Sequence, residues 1–234
     1  MIDAYDWSGG REAMLRFGPA TGPVVIAAMP LFEEANRTRA FMAEILRGLA
    51  ERGIASALPD LPGSGDSLIE TEQISLSNWK EAFSSAASAL RDSGPVHAVA
   101  IRGGALLDHD SPVASRWHFA PATGAALVRD MFRTRLAAAK EDGEAFDASV
   151  IDSPGPPVEL AGNRLSRALL ADLNGATPST SGPLRTVRLD TDAQAADLKL
   201  AGAPLWRRAE PGNDPALADR LAADIAAWIT TCGV

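Results

Sequence analysis

Residues 96–107 read Val96-His-Ala-Val-Ala-Ile101-Arg102-Gly-Gly-Ala-Leu-Leu107, and this stretch decides the fold. An apolar run ends abruptly at a pair of glycines, so the pattern predicts a strand, a sharp turn and a helix opening at Gly104. That is the outline of a nucleophile elbow, whose strained and crowded turn needs small flanking residues. Ala100, Gly103 and Gly104 supply them, and the residue at the tip is Arg102. A guanidinium stays protonated and has no lone pair with which to attack a carbonyl, so Arg102 cannot be a covalent catalyst.

Outward from the elbow, strand and helix signals alternate. Residues 24–29 are continuously apolar, as expected of a strand buried on both faces of a parallel sheet. Phe41, Ile45 and Leu49 mark one face of a helix over residues 39–52, closed by Gly53. A second strand covers residues 54–58. Trp79, Phe83, Ala86, Ala87 and Leu90 predict another helix, with Ser77 as its cap. Beyond the elbow, residues 117–120 read as a strand and residues 124–141 as a helix. Residues 142–183 are rich in Gly, Pro, Ser and Ala and carry a helix only near residues 166–173. Residues 184–189 resume strand character, and Leu217, Leu221, Ile225 and Ile229 define a closing helix over residues 215–230. Repeated strand–helix–strand units imply an α/β fold, a mostly parallel sheet flanked by helices. One domain over residues 1–234 is expected, with a small lid insertion drawn from about residues 120–183.

The chain has 234 residues and a net charge of −8, which argues against a nucleic-acid footprint or a polybasic membrane anchor. Nineteen arginines stand against three lysines, a skew that carries no function by itself. Cys232 is the sole cysteine, so no intrachain disulfide is possible, and a free thiol suits a reducing compartment. The first residues, Met1-Ile-Asp-Ala-Tyr-Asp6, lack a basic and an apolar leader region, and no apolar run is long enough to span a bilayer. A cytoplasmic location is the expectation. Nothing in the pattern fixes an oligomeric state.

The order strand, Pro30-Leu-Phe-Glu-Glu-Ala-Asn36, helix, strand, Asp60-Leu-Pro-Gly-Ser-Gly-Asp-Ser67, helix, elbow resembles that of the α/β-hydrolases. In detail the chain is similar to the exosortase A system-associated hydrolases of type 2, found beside bacterial exopolysaccharide and protein-sorting loci. Trp79, the Ile-Arg-Gly-Gly-Ala-Leu-Leu elbow, Ala120-Pro-Ala-Thr-Gly124, Val158-Glu-Leu-Ala-Gly-Asn163, Pro204-Leu-Trp206 and Glu210 extend the likeness over nearly the whole chain. Arginine-bearing elbows occur in that group too, so the resemblance makes Arg102 a group trait.

A serine-hydrolase triad runs in the chain order nucleophile, acid, histidine, with the histidine after the final strand. This chain has only His97, His109 and His118, and none follows residue 118. Asp190 and Asp192 stand where the acid would be, or form a solvated turn. The Gly103 amide, with Leu31 or Phe32, is placed to form an oxyanion site. The expected ligand contacts are Arg102, Gly103, Leu31, Phe32 and Glu33. Arg102 either captures a carboxylate or phosphate bidentately at the strand ends, or is locked to Glu33 or Glu34 on the same rim.

The leading expectation is a non-catalytic binding or accessory protein, linked by the resemblance to exopolysaccharide or exosortase systems, with a small polar or anionic ligand. The alternative is an ester or thioester hydrolase with a rearranged site. There Glu33 or Glu34 activates water, Ser64 or Ser67 replaces the nucleophile, Asp190 is a further candidate and Arg102 stabilises an oxyanion. No cofactor and no metal are expected. Gly63-x-Gly65 lacks the third glycine of a dinucleotide fingerprint. Asp108-His109-Asp110, taken as adjacent positions on a helix, point apart. Asn36 is expected to cap the helix after it, and His118 to be a satisfied core or rim histidine. Arg129, Arg133 and Arg135, with Arg116 nearby, give the mid-chain helix a basic side. That side is either paired with acids such as Asp130, Glu141 and Asp142 or a docking surface for an anionic partner. Cys232, near the terminus, is assigned no role.

Overall fold

The computed structural model describes residues 1–146, 149 and 154–232. Its strands, in chain order, are β1 (Ile2–Trp7), β2 (Gly10–Phe17), β3 (Val24–Ala28), β4 (Ala55–Pro59), β5 (Val96–Ile101), β6 (Ser115–Phe119), β7 (Val158–Leu160), β8 (Asn163–Leu165), β9 (Leu184–Leu189) and β10 (Leu198–Leu200). The helices are α1 (Glu33–Glu51), α2 (Leu76–Ala89), α3 (Gly124–Asp142), α4 (Arg167–Gly175) and α5 (Pro215–Cys232). Among the described residues, eight strands form one sheet in the order β1-β2-β4-β3-β5-β6-β9-β10. The pairings from β4 to β10 are parallel, and β2 joins β4 and β1 in antiparallel register. The expected parallel sheet is therefore present, with a hairpin added at one edge.

Period-2 alternation splits the core into two layers. Val24, Ile26 and Ala28 of β3 face the layer shared with α2, α3 and α4, while Val25 and Ala27 face the layer shared with α1 and α5. The same division holds along β5, where Ala98 and Ala100 face one side and Val99 and Ile101 the other. A sheet covered on both faces cannot alternate apolar with polar, which explains the continuous apolar runs. Trp117 crosses to the α5 side and donates its Nε1–H to Asp224 Oδ2 at 2.8 Å, where Arg185 also binds.

Several local expectations are corrected. α1 begins at Glu33, six residues earlier than its apolar period suggests, because Phe32 turns the chain at φ 59°. Glu33 and Glu34 then lie in the first turn, where the helix dipole favours acids. Asn36 is consequently inside α1 and caps nothing. Ser75, not Ser77, caps α2, through a reciprocal box with Asn78. Gly104 opens no α-helix: Arg102–Leu106 make a short 3-10 segment, and Asp108-His109-Asp110 follow it in a turn. The other helices keep their places, with Thr123 and Ser166 capping α3 and α4. Residues 142–183 also contain the β7–β8 hairpin; residues 147, 148 and 150–153 of that stretch lie outside the described residues. The N-terminal hairpin and β10 have no counterpart in the pattern reading. No helix among the described residues is long and apolar enough to cross a membrane.

His97 tests the core electrostatically. Its Nδ1 pairs with Ser115 Oγ at 2.8 Å, while Nε2 is buried without a partner. Burial lowers the imidazole's pKa below its ordinary value. Between the lowered folded value and the unfolded value near 6.5, the unfolded chain binds more protons, so stability falls as pH drops through that window. Urea denaturation from pH 8 to 5 is expected to show this slope, and His97→Asn to flatten it; an unchanged slope in the variant would place its origin elsewhere.

Candidate functional site

The strand β5 ends and Arg102 turns the chain at φ 54°, a left-handed conformation costly for any side chain with a Cβ. Phe32 (φ 59°) and Ala120 (φ 47°) share that strain, and the Ala120 carbonyl lies against Arg102. The turn is tight because Gly104 abuts the sheet. A Cβ there would fall 2.5 Å from the Met29 carbonyl oxygen and 2.6 Å from that of Ala28.

The tip side chain is clamped. Arg102 Nε donates to Glu34 Oε2 at 3.2 Å, Nη2 donates to Glu34 Oε1 at 3.1 Å, and Nη1 donates to the Ala120 carbonyl at 3.2 Å. Its guanidinium carbon lies 4.9 Å from the centroid of the Trp206 ring, a cation–π contact. The two paired side chains are only 12% and 14% exposed. Burial pushes the Glu34 carboxyl up, and the Arg102 charge and hydrogen bonds pull against that shift. Of the five guanidinium N–H groups, two remain for a further acceptor. Glu34 thus reaches Arg102, whereas no contact joins Glu33 to it; Glu33 lines a separate cavity of about 460 Å³ with Leu31, Phe32 and Glu34.

Arg102 borders a large cavity, about 920 Å³, at the carboxyl ends of β6 and β9. Its floor includes His118, Thr186 and Arg188, and α3 contributes Arg129 and Arg133. His118 Nε2 lies 2.7 Å from Asp108 Oδ2, both side chains buried, so the expected satisfied histidine also forms part of a cavity wall. Arg116 is buried as well, donating to the carbonyls of Asp108, His109 and Ser181. It therefore does not join the basic side of α3. Arg133 pairs with Asp130 and Arg135 with Glu144.

The other named residues are dispersed. Gly103 is buried with Leu127 and Leu31 packed against it. Ser64 lines a third cavity of about 270 Å³ beside Leu31, Phe32 and Asp60, and its hydroxyl donates to the Leu61 carbonyl at 2.8 Å. The Ser67 hydroxyl donates to Glu12 at 3.0 Å. Asp190 is exposed on the turn after β9, its amide donating to Leu200. Asp192 instead faces the large cavity and accepts from Arg188 Nη1 at 2.7 Å. Burial would raise its carboxyl, but the Gln194 amide and Arg188 hold it below the usual range. Among the described residues no cluster of His, Cys, Asp and Glu is arranged to hold a metal.

Arg188 was the missed residue. The pattern Leu184-Arg-Thr-Val-Arg-Leu189 marked it only as a strand position, and its pairing to Asp192 depends on the turn that follows. Trp206 lies after the final strand, in the part of the chain where a triad would carry its histidine.

No family model matches the chain, and no curated protein matches it in sequence. Solved structures do. A ferulic acid complex of Est1E from Butyrivibrio proteoclasticus is 12% identical with a TM-score of 0.66, covering 97% of this chain and 99% of that one. Mouse alpha/beta hydrolase domain-containing protein 10 is 16% identical with a TM-score of 0.59, covering 99% of each chain. A putative hydrolase from Agrobacterium vitis S4 is 18% identical with a TM-score of 0.58, covering 98% of each. At such identities the likeness shows the fold alone, and that fold is the α/β-hydrolase fold.

Proposed function

We propose that this is a non-catalytic α/β-hydrolase-fold protein that binds a small anionic ligand in the cavity bordered by Arg102. The observation that carries the reading is the clamped guanidinium at the elbow. A group held by Glu34, the Ala120 carbonyl and Trp206 leaves no nucleophile at the tip, yet presents two N–H donors at the strand ends where α/β folds take ligands. The hydroxyls of Ser64 and Ser67 are bound to the Leu61 carbonyl and to Glu12, and neither residue lines the Arg102 cavity, which supports this over a rearranged hydrolase. The stretch of residues 120–183, with α3, the β7–β8 hairpin and α4, is read as a lid insertion, in which residues 120–123, Arg129 and Arg133 of α3, and residues 177–180 line that cavity. The likeness to exosortase-associated hydrolases suggests an accessory role beside exopolysaccharide or protein-sorting systems, inside the cell.

Steady-state assays with short-chain acyl esters and thioesters test the reading. Wild-type protein is expected to give no rate above buffer. Arg102→Ser is expected to give none either, because a serine at the tip still has no histidine to take its proton. Saturable turnover by either protein would overturn the reading.

A further inference from the structure

We propose that the large cavity is a phosphate-monoester site, in which Arg102 and Arg188 grip the phosphate together and the cavity wall receives a hydroxylated body. The proposal rests on the anion-binding reading of Arg102 and adds the ligand's class and a second anchoring residue.

Consecutive peptide groups hold the two guanidinium groups. Arg102 Nη1 donates to the Ala120 carbonyl at 3.2 Å, and Arg188 Nη2 donates to the Pro121 carbonyl at 3.5 Å. Arg102 follows the end of β5 and Arg188 lies in β9, the two strands that flank β6, beyond whose end Ala120 adopts its strained φ of 47°. Arg188 is only 7% exposed, and its buried Nε has no hydrogen-bond partner. Its one carboxylate partner, Asp192, uses a single oxygen on Nη1. A monocarboxylate is satisfied by one pair of donors; the two N–H groups left on Arg102 and the three left on Arg188, beside one turn, match an oxyanion with about two charges and three terminal oxygens.

The surroundings favour the same charge. Arg129, Arg133 and Arg207 also line the cavity, against Asp130 and Asp192 alone among its acids. Arg129 and Arg207 form no ion pair among the described residues, and both are exposed. This excess of positive charge stands out in a chain of net charge −8. The cavity, at about 920 Å³, is far larger than a bare phosphate requires. Thr177, Thr180 and Thr191 line it without side-chain hydrogen bonds to protein among the described residues, so their hydroxyls are available to a polyol or sugar.

Isothermal titration calorimetry at low salt decides the matter, with glucose 6-phosphate, glucose, inorganic phosphate and succinate as probes. Glucose 6-phosphate is expected to bind more tightly than phosphate, and glucose not at all. Arg188→Gln is expected to weaken glucose 6-phosphate binding by about tenfold or more, from the loss of charge-assisted hydrogen bonds. Arg207→Gln, an exposed change that leaves the core untouched, is expected to weaken it about twofold, and serves if Arg188→Gln does not fold. Equal binding by wild type and both variants would overturn the phosphate site. Succinate binding that is lost in Arg102→Met, with glucose 6-phosphate silent, would overturn this proposal and leave the Arg102 reading standing. Silence from every anion would sink both.

Discussion

Glu34→Ala is expected to lower the unfolding free energy by about 3 kcal/mol or more, the cost of leaving a buried charge without its partner. The Arg102 guanidinium is 12% exposed, so water reaches only its cavity-facing edge and replaces the carboxylate incompletely. The Ala120 carbonyl and the Trp206 ring remain, but neither carries a full negative charge. Glu33→Ala, one residue earlier on α1 and without contact to Arg102, is expected to change stability by less than about 0.5 kcal/mol. The double variant Glu34→Ala with Arg102→Met is expected to recover much of the loss, because removing both charges leaves nothing unpaired. Urea denaturation of the three variants at pH 7 checks all of this. A loss below about 1 kcal/mol in Glu34→Ala would mean that the clamp does not close in solution.

Gly104→Ala is expected to cost about 3 kcal/mol, at the upper end for overpacking. The added methyl would meet the carbonyl oxygens of Ala28 and Met29, which are backbone atoms and cannot rotate away. Relief requires the 3-10 segment after Arg102 to move off the end of β3, which would loosen the turn that sets the Arg102 φ. Gly175→Ala, at the end of α4, meets nothing within 4 Å and is expected to be neutral within about 0.5 kcal/mol. Thermal melts of the pair separate a crowded elbow from a general intolerance of added methyls.

The fold was legible because its signals were local and redundant. A continuous apolar run followed by a helix-period stretch has few solutions other than a buried parallel strand, and β3, followed by α1, met that pattern. The N-terminal hairpin was not legible, since its residues are mostly exposed or half-buried and it is placed by pairing of β2 with β4 across the sheet. The start of α1 was missed for a related reason. Pro30 and a run without helical period suggested a loop, while the actual start is set by a backbone reversal at Phe32 that no side-chain pattern announces.

The site was legible only in part. The elbow and its paired carboxylate could be inferred because a buried guanidinium requires an acid, and the loop after β3 ends at the same rim. The choice of Glu34 over Glu33 could not, because it depends on where the first turn of α1 falls. Arg188 and Asp192 were harder still. Their pairing spans a strand end and a turn, and Arg188 shares a cavity with Arg102 only once β6 and β9 lie side by side. Asp108 shows the opposite failure. Adjacent to His109 and Asp110 in sequence, it turns inward to His118 while its neighbours face solvent, so the apparent cluster never assembles.

Intact-mass spectrometry of the pure protein, after incubation with a fluorophosphonate probe and with an activated acetyl ester, tests most directly whether the elbow holds a binding arginine in place of a nucleophile. The expected result is an unmodified chain with both reagents at every time point. A stoichiometric adduct, mapped by peptide sequencing to Ser64 or Ser67, would contradict it and establish a rearranged hydrolase.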